Sequence, residues 1–225
     1  MPVPYPSPSL LPAMSDELLA CMELRQDPLF HKIPKARIPY YVQESLRAGR
    51  QAAVPYKGSS IRRMCEDAGL HYEVTQASGD FRSVSFRAQI DFAKKPPQII
   101  LYASSLKGMQ KVCRDLLGEL PGGQEADMEL LIDIHLAHEF YHWLEYRDNA
   151  FTNEQLERID VFRLGPYTKR SSVVQCSEIA AHAFCREVTG LPCLPNLLDY
   201  AYLIGEKQMQ AEAFEQQLAA CKCWI

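Results

Sequence analysis

The sequence predicts an α+β fold in which a small, mostly antiparallel sheet packs on helices. Three observations carry this. Apolar residues recur at helical spacing in residues 59–69, 104–117 and 125–146, and again after residue 171. Between the first two of these stretches lie three short segments rich in β-branched and aromatic residues, bounded by turn formers. The 225 residues, 47% of them hydrophobic, suffice for one domain with a sizeable core and an appended segment.

Residues 1–12 contain five prolines and read as extended or disordered chain. Ser15 is placed to cap a short helix whose apolar face is Leu18, Leu19 and Met22. Pro28, Pro34, Pro39 and Pro55 punctuate the next thirty residues, leaving room for a short helix over residues 42–48. Residues 1–56 are therefore assigned to a proline-rich N-terminal extension with short helices, either wrapped on the main domain or serving regulation or partner binding. Residues 57–225 are assigned to the main domain. Its first helix has Ile61, Met64, Cys65 and Ala68 on one face and stops at Gly69.

Strands are expected at His71–Thr75, 84–92 and Gln98–Tyr102. Ser104 or Ser105 then caps a helix to about Leu117. Its buried stripe is Leu106, Met109, Val112, Cys113, Leu116 and Leu117, and Pro121-Gly122-Gly123 breaks it. The longest clean helix covers residues 125–146, with Leu130, Leu131, Ile134, Ala137, Tyr141 and Leu144 on overlapping turns. Residues 148–170 read as an irregular loop or short helix. A helix from Ser171 or Ser172 to about Val188 ends at Thr189-Gly190-Leu191-Pro192, and a last helix spans residues 197–221.

Bulk charge narrows the classes. The formal net charge of −4 offers no broad basic field, which argues against nucleic acid as a direct partner. No apolar run approaches the roughly 20 residues needed to cross a membrane. The N-terminus lacks a basic stretch and is broken by prolines, unlike a secretory signal. The eight cysteines include no Cys-x-x-Cys pair, and several fall at positions suited to small apolar residues. Reduced thiols in a cytoplasmic protein are the expectation.

Chemistry concentrates at His138-Glu139-Phe140-Tyr141-His142, inside the strongest helix. Residues four apart lie on one helix face, so both imidazoles can reach one Zn²⁺ at about 2.0–2.1 Å. Glu139 is rotated by about 100° and lies beside the metal, placed to take a proton from a water that the metal makes acidic. The bland alternative is a pair of ordinary histidines on an amphipathic helix. A catalytic site wants one more protein ligand. Glu178, among Ile179, Ala180, Ala181 and Ala183, is the leading candidate; the bland alternative is a glutamate favoured at a helix start. Glu145, Glu154, Glu157 and Asp160 compete, Glu145 being hampered by its place on the histidines' own helix. His182, one turn after Glu178, is either a supporting or oxyanion-stabilising group or a packed histidine. Tyr167 is a further oxyanion candidate. His135, three residues before His138, reads as a neighbour of the site.

His138-Glu139-x-x-His142, followed by Glu178-x-x-Ala181-His182-x-Phe184-Cys185 and Gly190-Leu191-Pro192, resembles the ImmA/IrrE metallopeptidases (the DUF955 domain) over residues 59–195. The resemblance implies a minimal, gluzincin-like zincin core carrying the HExxH helix. It also implies zinc held by His138, His142 and Glu178, with Glu139 as catalytic base. His182 and Cys185 stand where that family has Asn and Ala, and the stretch from His142 to Glu178 is long for it. The function so implied is zinc-dependent cleavage of a protein or peptide substrate, with a transcriptional repressor as the family's kind of target. A catalytically silent module that keeps the fold is the alternative, and a DNA-associated protease of the SprT kind is disfavoured by charge. By analogy the strand Gln98–Tyr102 can hold an extended substrate at the sheet edge, or be a plain core strand. Oligomeric state is not legible.

Overall fold

A computed structural model of the chain describes residues 14–81, 84–117, 119–120 and 124–225, with side chains described outside 80–85 and 116–124. The proline-rich start and the Pro121-Gly122-Gly123 break lie outside the described residues. The chain begins with α1 (Asp16–Leu24), whose first turn is closed by Ser15 Oγ accepting from the Leu18 N–H. The second helix, α2 (Ile38–Ala53), is far longer than residues 42–48. Pro39 does not interrupt it: it sits in the first turn, where a missing N–H costs nothing. After α3 (Ile61–Asp67), capped by Ser60, come β1 (His71–Thr75), the short pair β2 (Asp80–Phe81) and β3 (Val84–Ser85), then β4 (Ala88–Asp91) and β5 (Gln98–Tyr102).

The main sheet has the order β1-β5-β4. β4 runs antiparallel to β5, as expected, but β1 pairs with β5 in parallel, Tyr72 opposite Ile99. The excursion through β2, β3 and β4 returns the chain in its original direction, so the expectation of antiparallel pairing fails at this one ladder. β5 is consequently the central strand, with Ile99 and Leu101 fully buried. It presents no free edge to a substrate; among the described residues β4 is the edge strand on that side.

Helix α4 (Ala103–Leu117) buries Leu106, Met109, Val112 and Cys113, as its sequence stripe predicts; the side chains of Leu116 and Leu117 lie outside the described ones. The small pair β6 (Glu119–Leu120) and β7 (Gln124–Glu125) leads to α5 (Met128–Asp148). Asp127 caps α5 by accepting from the Leu130 N–H at 2.7 Å, and Asn149 ends it in the left-handed region. Residues 149–171 hold more order than an irregular loop: α6 (Thr152–Gln155), then the hairpin β8 (Ile159–Leu164) and β9 (Tyr167–Ser171). Gly165, at φ +55°, opens its two-residue turn. Because Ser171 belongs to β9, α7 starts later than expected and spans Gln175–Thr189, ending at Gly190 (φ +72°). The expected single last helix is two, α8 (Asn196–Gly205) and α9 (Ala211–Lys222).

Two apolar clusters fill the body, and α7 serves both. Ala180, Ala181, Phe184 and Cys185 face the cluster of α3, α4, α5 and β5. Cys176, Ile179 and Ala183 face the cluster of α1, α2, α8 and α9. The α2–α7 crossing is so close that a Cβ on Gly49 would stand 2.0 Å from the Ala180 carbonyl oxygen and 2.9 Å from Ala183 Cβ. All eight cysteines are free thiols, seven of them buried. No helix among the described residues is long and apolar enough to cross a membrane.

Candidate metal centre

The packing of α5 against α7 brings three side chains together. His138 and His142 lie one turn apart on α5, with their Nε2 atoms 3.1 Å apart. From α7, Glu178 places Oε2 3.2 Å from His138 Nε2 and Oε1 3.5 Å from His142 Nε2. Alanines 180 and 181, fully buried between the helices, permit that approach. Ligand atoms held at about 2.0–2.1 Å around a tetrahedral ion stand about 3.3 Å from one another. The three separations bracket that spacing, so the His138–His142–Glu178 group fits a metal ion.

Electrostatics favour positive charge at the same point. Burial alone would raise the Glu178 carboxyl, but the hydrogen bonds with His138 and His142 outweigh it and hold the group far below the carboxylate range. Burial would likewise lower His142, yet Glu145 and Glu178 reverse this and raise it. The two carboxylates flanking His142 thus favour a cation between them.

Glu145 supports the centre in a way its sequence position conceals, since on the histidines' own helix it suggests at most a competing ligand. It is 4% exposed and sits three residues after His142, with Oε2 3.1 Å from His142 Nδ1. Its Oε1 accepts from the Thr152 N–H at 2.8 Å and from Ser177 Oγ at 2.9 Å. A carboxylate can only accept, so Nδ1 must donate, and Nε2 is the nitrogen turned toward Glu178, which would bind a metal in exchange for its proton. The i, i+3 spacing after a candidate metal-ligand histidine is the signal that could have shown it.

Glu139 lines the cleft beside His138 and Glu178. Burial pushes its carboxyl up, against the pull of His138 and His142. His182 is 8% exposed, its ring centroid 4.9 Å from that of His138. Burial, reinforced by His138, holds it well below the usual histidine range, so it is a neutral imidazole. Its Nδ1 has no hydrogen-bond partner among the described residues. His135 is a neighbour and not a ligand: its Nδ1 bonds the Leu131 carbonyl at 2.7 Å, and burial pushes the ring down to about 4.

Other expected candidates lie elsewhere. Tyr167 stands at the turn end of the β8–β9 hairpin, 61% exposed, and does not line the cleft. The hairpin pairs with itself and carries the phenol into solvent, apart from the residues that line the cleft. Glu157 pairs with Arg37 and Asp160 with Arg170, away from the ligand group. Glu154, in α6, is likewise no member of that group.

The cleft over the centre encloses about 380 Å³. One wall is Phe86, Arg87 and Ala88 on the approach to edge strand β4; the other is Glu23 of α1 with Leu198, Asp199 and Tyr200 of α8. Arg87 and Asp199 pair at 2.8 Å across it. Glu23 gives no signal in the sequence, because α1 falls in the stretch assigned to an extension. Comparison with protein-family models, curated proteins and solved structures finds no match.

Proposed function

We propose that this chain is a zinc-dependent endopeptidase of the ImmA/IrrE, gluzincin-like kind, cleaving a peptide bond in a protein substrate such as a repressor-like regulator. The observation that carries the reading is the convergence of two imidazole nitrogens and a carboxylate at 3.1–3.5 Å beside the half-buried Glu139. Nitrogen and oxygen donors, two histidines and one glutamate, are the set that a hydrolytic zinc site uses. His138, His142 and Glu178 would hold the ion, and when bound it supplies Lewis acidity to water and to the scissile carbonyl.

This chain's own residues do the rest. Glu145 fixes the His142 tautomer. Glu139 takes a proton from the attacking water on its carboxylate oxygen and delivers it to the leaving amine nitrogen. Edge strand β4 offers backbone groups on its open side to an extended peptide beside the cleft. Neutral His182 stands beside His138 with polar atoms able to support developing charge.

Metal analysis of the purified protein and of His138→Ala, His142→Ala and Glu178→Ala tests the centre. About one zinc per chain in the parent, lost in each variant, is expected; full occupancy in Glu178→Ala overturns the third ligand. Glu139→Gln should keep zinc and lose cleavage. A parent protein that binds zinc but cleaves no protein or peptide points to a silent module instead.

A further inference from the structure

We propose that Glu23 forms a subsite for a cationic group of the substrate, an ammonium or guanidinium bound in the cleft next to the metal centre. The proposal rests on the peptidase reading only for the word substrate; the binding itself does not require it.

Glu23 is built into the wall opposite the β4 side of the cleft. Its Oε1 accepts from Gln175 Nε2 at 3.2 Å and its Oε2 from Asn196 Nδ2 at 3.2 Å. These two amides, from α7 and α8, fix the carboxylate without neutralising it. Its remaining neighbour is His182 Nε2 at 3.8 Å. No lysine or arginine among the described residues pairs with Glu23; Arg25, two residues on, turns away over Phe30 and Trp224. Arg87, the cation on the far wall, is taken by Asp199.

The side chain is 15% exposed, and its outlet is the cleft. A buried carboxylate without a counter-charge is costly, and burial pushes this one up to about 7. A carboxylate fixed by two neutral amide donors and open to the cleft is complementary to a group that brings N–H donors and positive charge. A hydrophobic or acidic side chain gains nothing there and leaves Glu23 uncompensated.

Two sources carry this chemistry, a lysine or arginine side chain and the α-ammonium of a peptide. Binding is measured on the full chain by NMR titration with acetyl-arginine amide, acetyl-citrulline amide (its neutral near-isostere) and leucine amide (whose cation is the α-ammonium). The arginine or the leucine compound should bind at least about tenfold more tightly than the citrulline compound. The one that does so names the source. Glu23→Gln should erase the difference while the fold and zinc content stay intact. Equal binding of all three by the parent protein overturns the proposal, as does an undiminished preference in Glu23→Gln. A peptide library then reads the same subsite in turnover. Cleavage with no basic preference refutes the subsite alone, whereas cation binding without any cleavage refutes the peptidase reading alone. Should Glu23→Gln misfold, Gln175→Ala together with Asn196→Ala, which frees the carboxylate, must weaken the preference in its place.

Discussion

Replacing Glu145 by glutamine changes one atom and should damage the metal centre. In the parent protein Oε1 is committed to the Thr152 N–H and the Ser177 hydroxyl, at 2.8 and 2.9 Å. A glutamine keeping those two bonds must keep its oxygen there. Its amide nitrogen then occupies the place of Oε2, 3.1 Å from His142 Nδ1. Two donors cannot share that contact, so Nδ1 gives up its proton and Nε2 takes it. A protonated Nε2 cannot bind a metal. Forcing the other tautomer leaves a clash of donors; turning the amide over strands Thr152 and Ser177. Losing such a supporting carboxylate costs roughly 10–100-fold in metal affinity, about 1.4–2.7 kcal/mol. A competition titration of zinc against a chromophoric chelator measures it directly. Glu145→Ala, which removes the acceptor without imposing a donor, should lose no more affinity than Glu145→Gln. Unchanged affinity in Glu145→Gln would refute the tautomer argument.

Other consequences are as direct. Gly49→Ala would drive a methyl into the Ala180 carbonyl oxygen, so α2 and α7 must separate; a loss of about 1–3 kcal/mol, or several degrees in Tm, is expected by calorimetry. Asp27 accepts from the Gln175 N–H at 3.1 Å and so caps α7 from a distant loop; Asp27→Ala should cost about 1–2 kcal/mol in urea unfolding. Glu23 has its carboxyl raised from 4.5 to about 7 in the fold, so its stabilising protonated form is complete below pH 4.5 and is lost as pH rises through 7. Metal-free Glu23→Gln should therefore match the parent at pH 4.5 and exceed it by up to about 3 kcal/mol at pH 8; a pH-independent difference would contradict this. Of the eight thiols only Cys223 is exposed, and burial pushes those of Cys65, Cys113, Cys176 and Cys185 up to about 12, so a native-state thiol titration should show one fast group.

Much of this is legible along the chain because the signals are local. Ser15 announces its helix by cap chemistry, and β1 and β5 fall on the residues that their β-branched and aromatic content marks. The pairing of His138 with His142 needs only helical periodicity, and Glu178 only a second helix with small neighbours. The features that escape depend on contacts distant in sequence or on a residue with two opposite meanings. Pro39 resembles a breaker in the sequence, although in a first turn it initiates. The hairpin of β8 and β9 hides in a charged stretch whose strands are half in solvent, so no clean apolar alternation marks it. The break between α8 and α9 coincides with close packing of Gly205 on Val112, where a Cβ would come within 2.2 Å of a methyl group. Glu23 is one polar position in an apolar helix until Gln175 and Asn196 are seen to hold it.

The α2–α7 crossing and the Asp27 cap also govern when the centre can come into being. Asp27 must find a partner 148 residues later, and Leu19 is hydrogen-bonded to Asn196, 177 residues later. During synthesis the first two helices therefore emerge long before the helix they pack against, with their apolar faces uncovered. Closing so large a loop is slow relative to local helix formation. The ligand from α7 and the wall from α1 are secured in the same late step. Metal capture is thus expected only once α7 and the start of α8 have emerged, and a nascent chain halted before α7 should hold neither the ion nor a native fold.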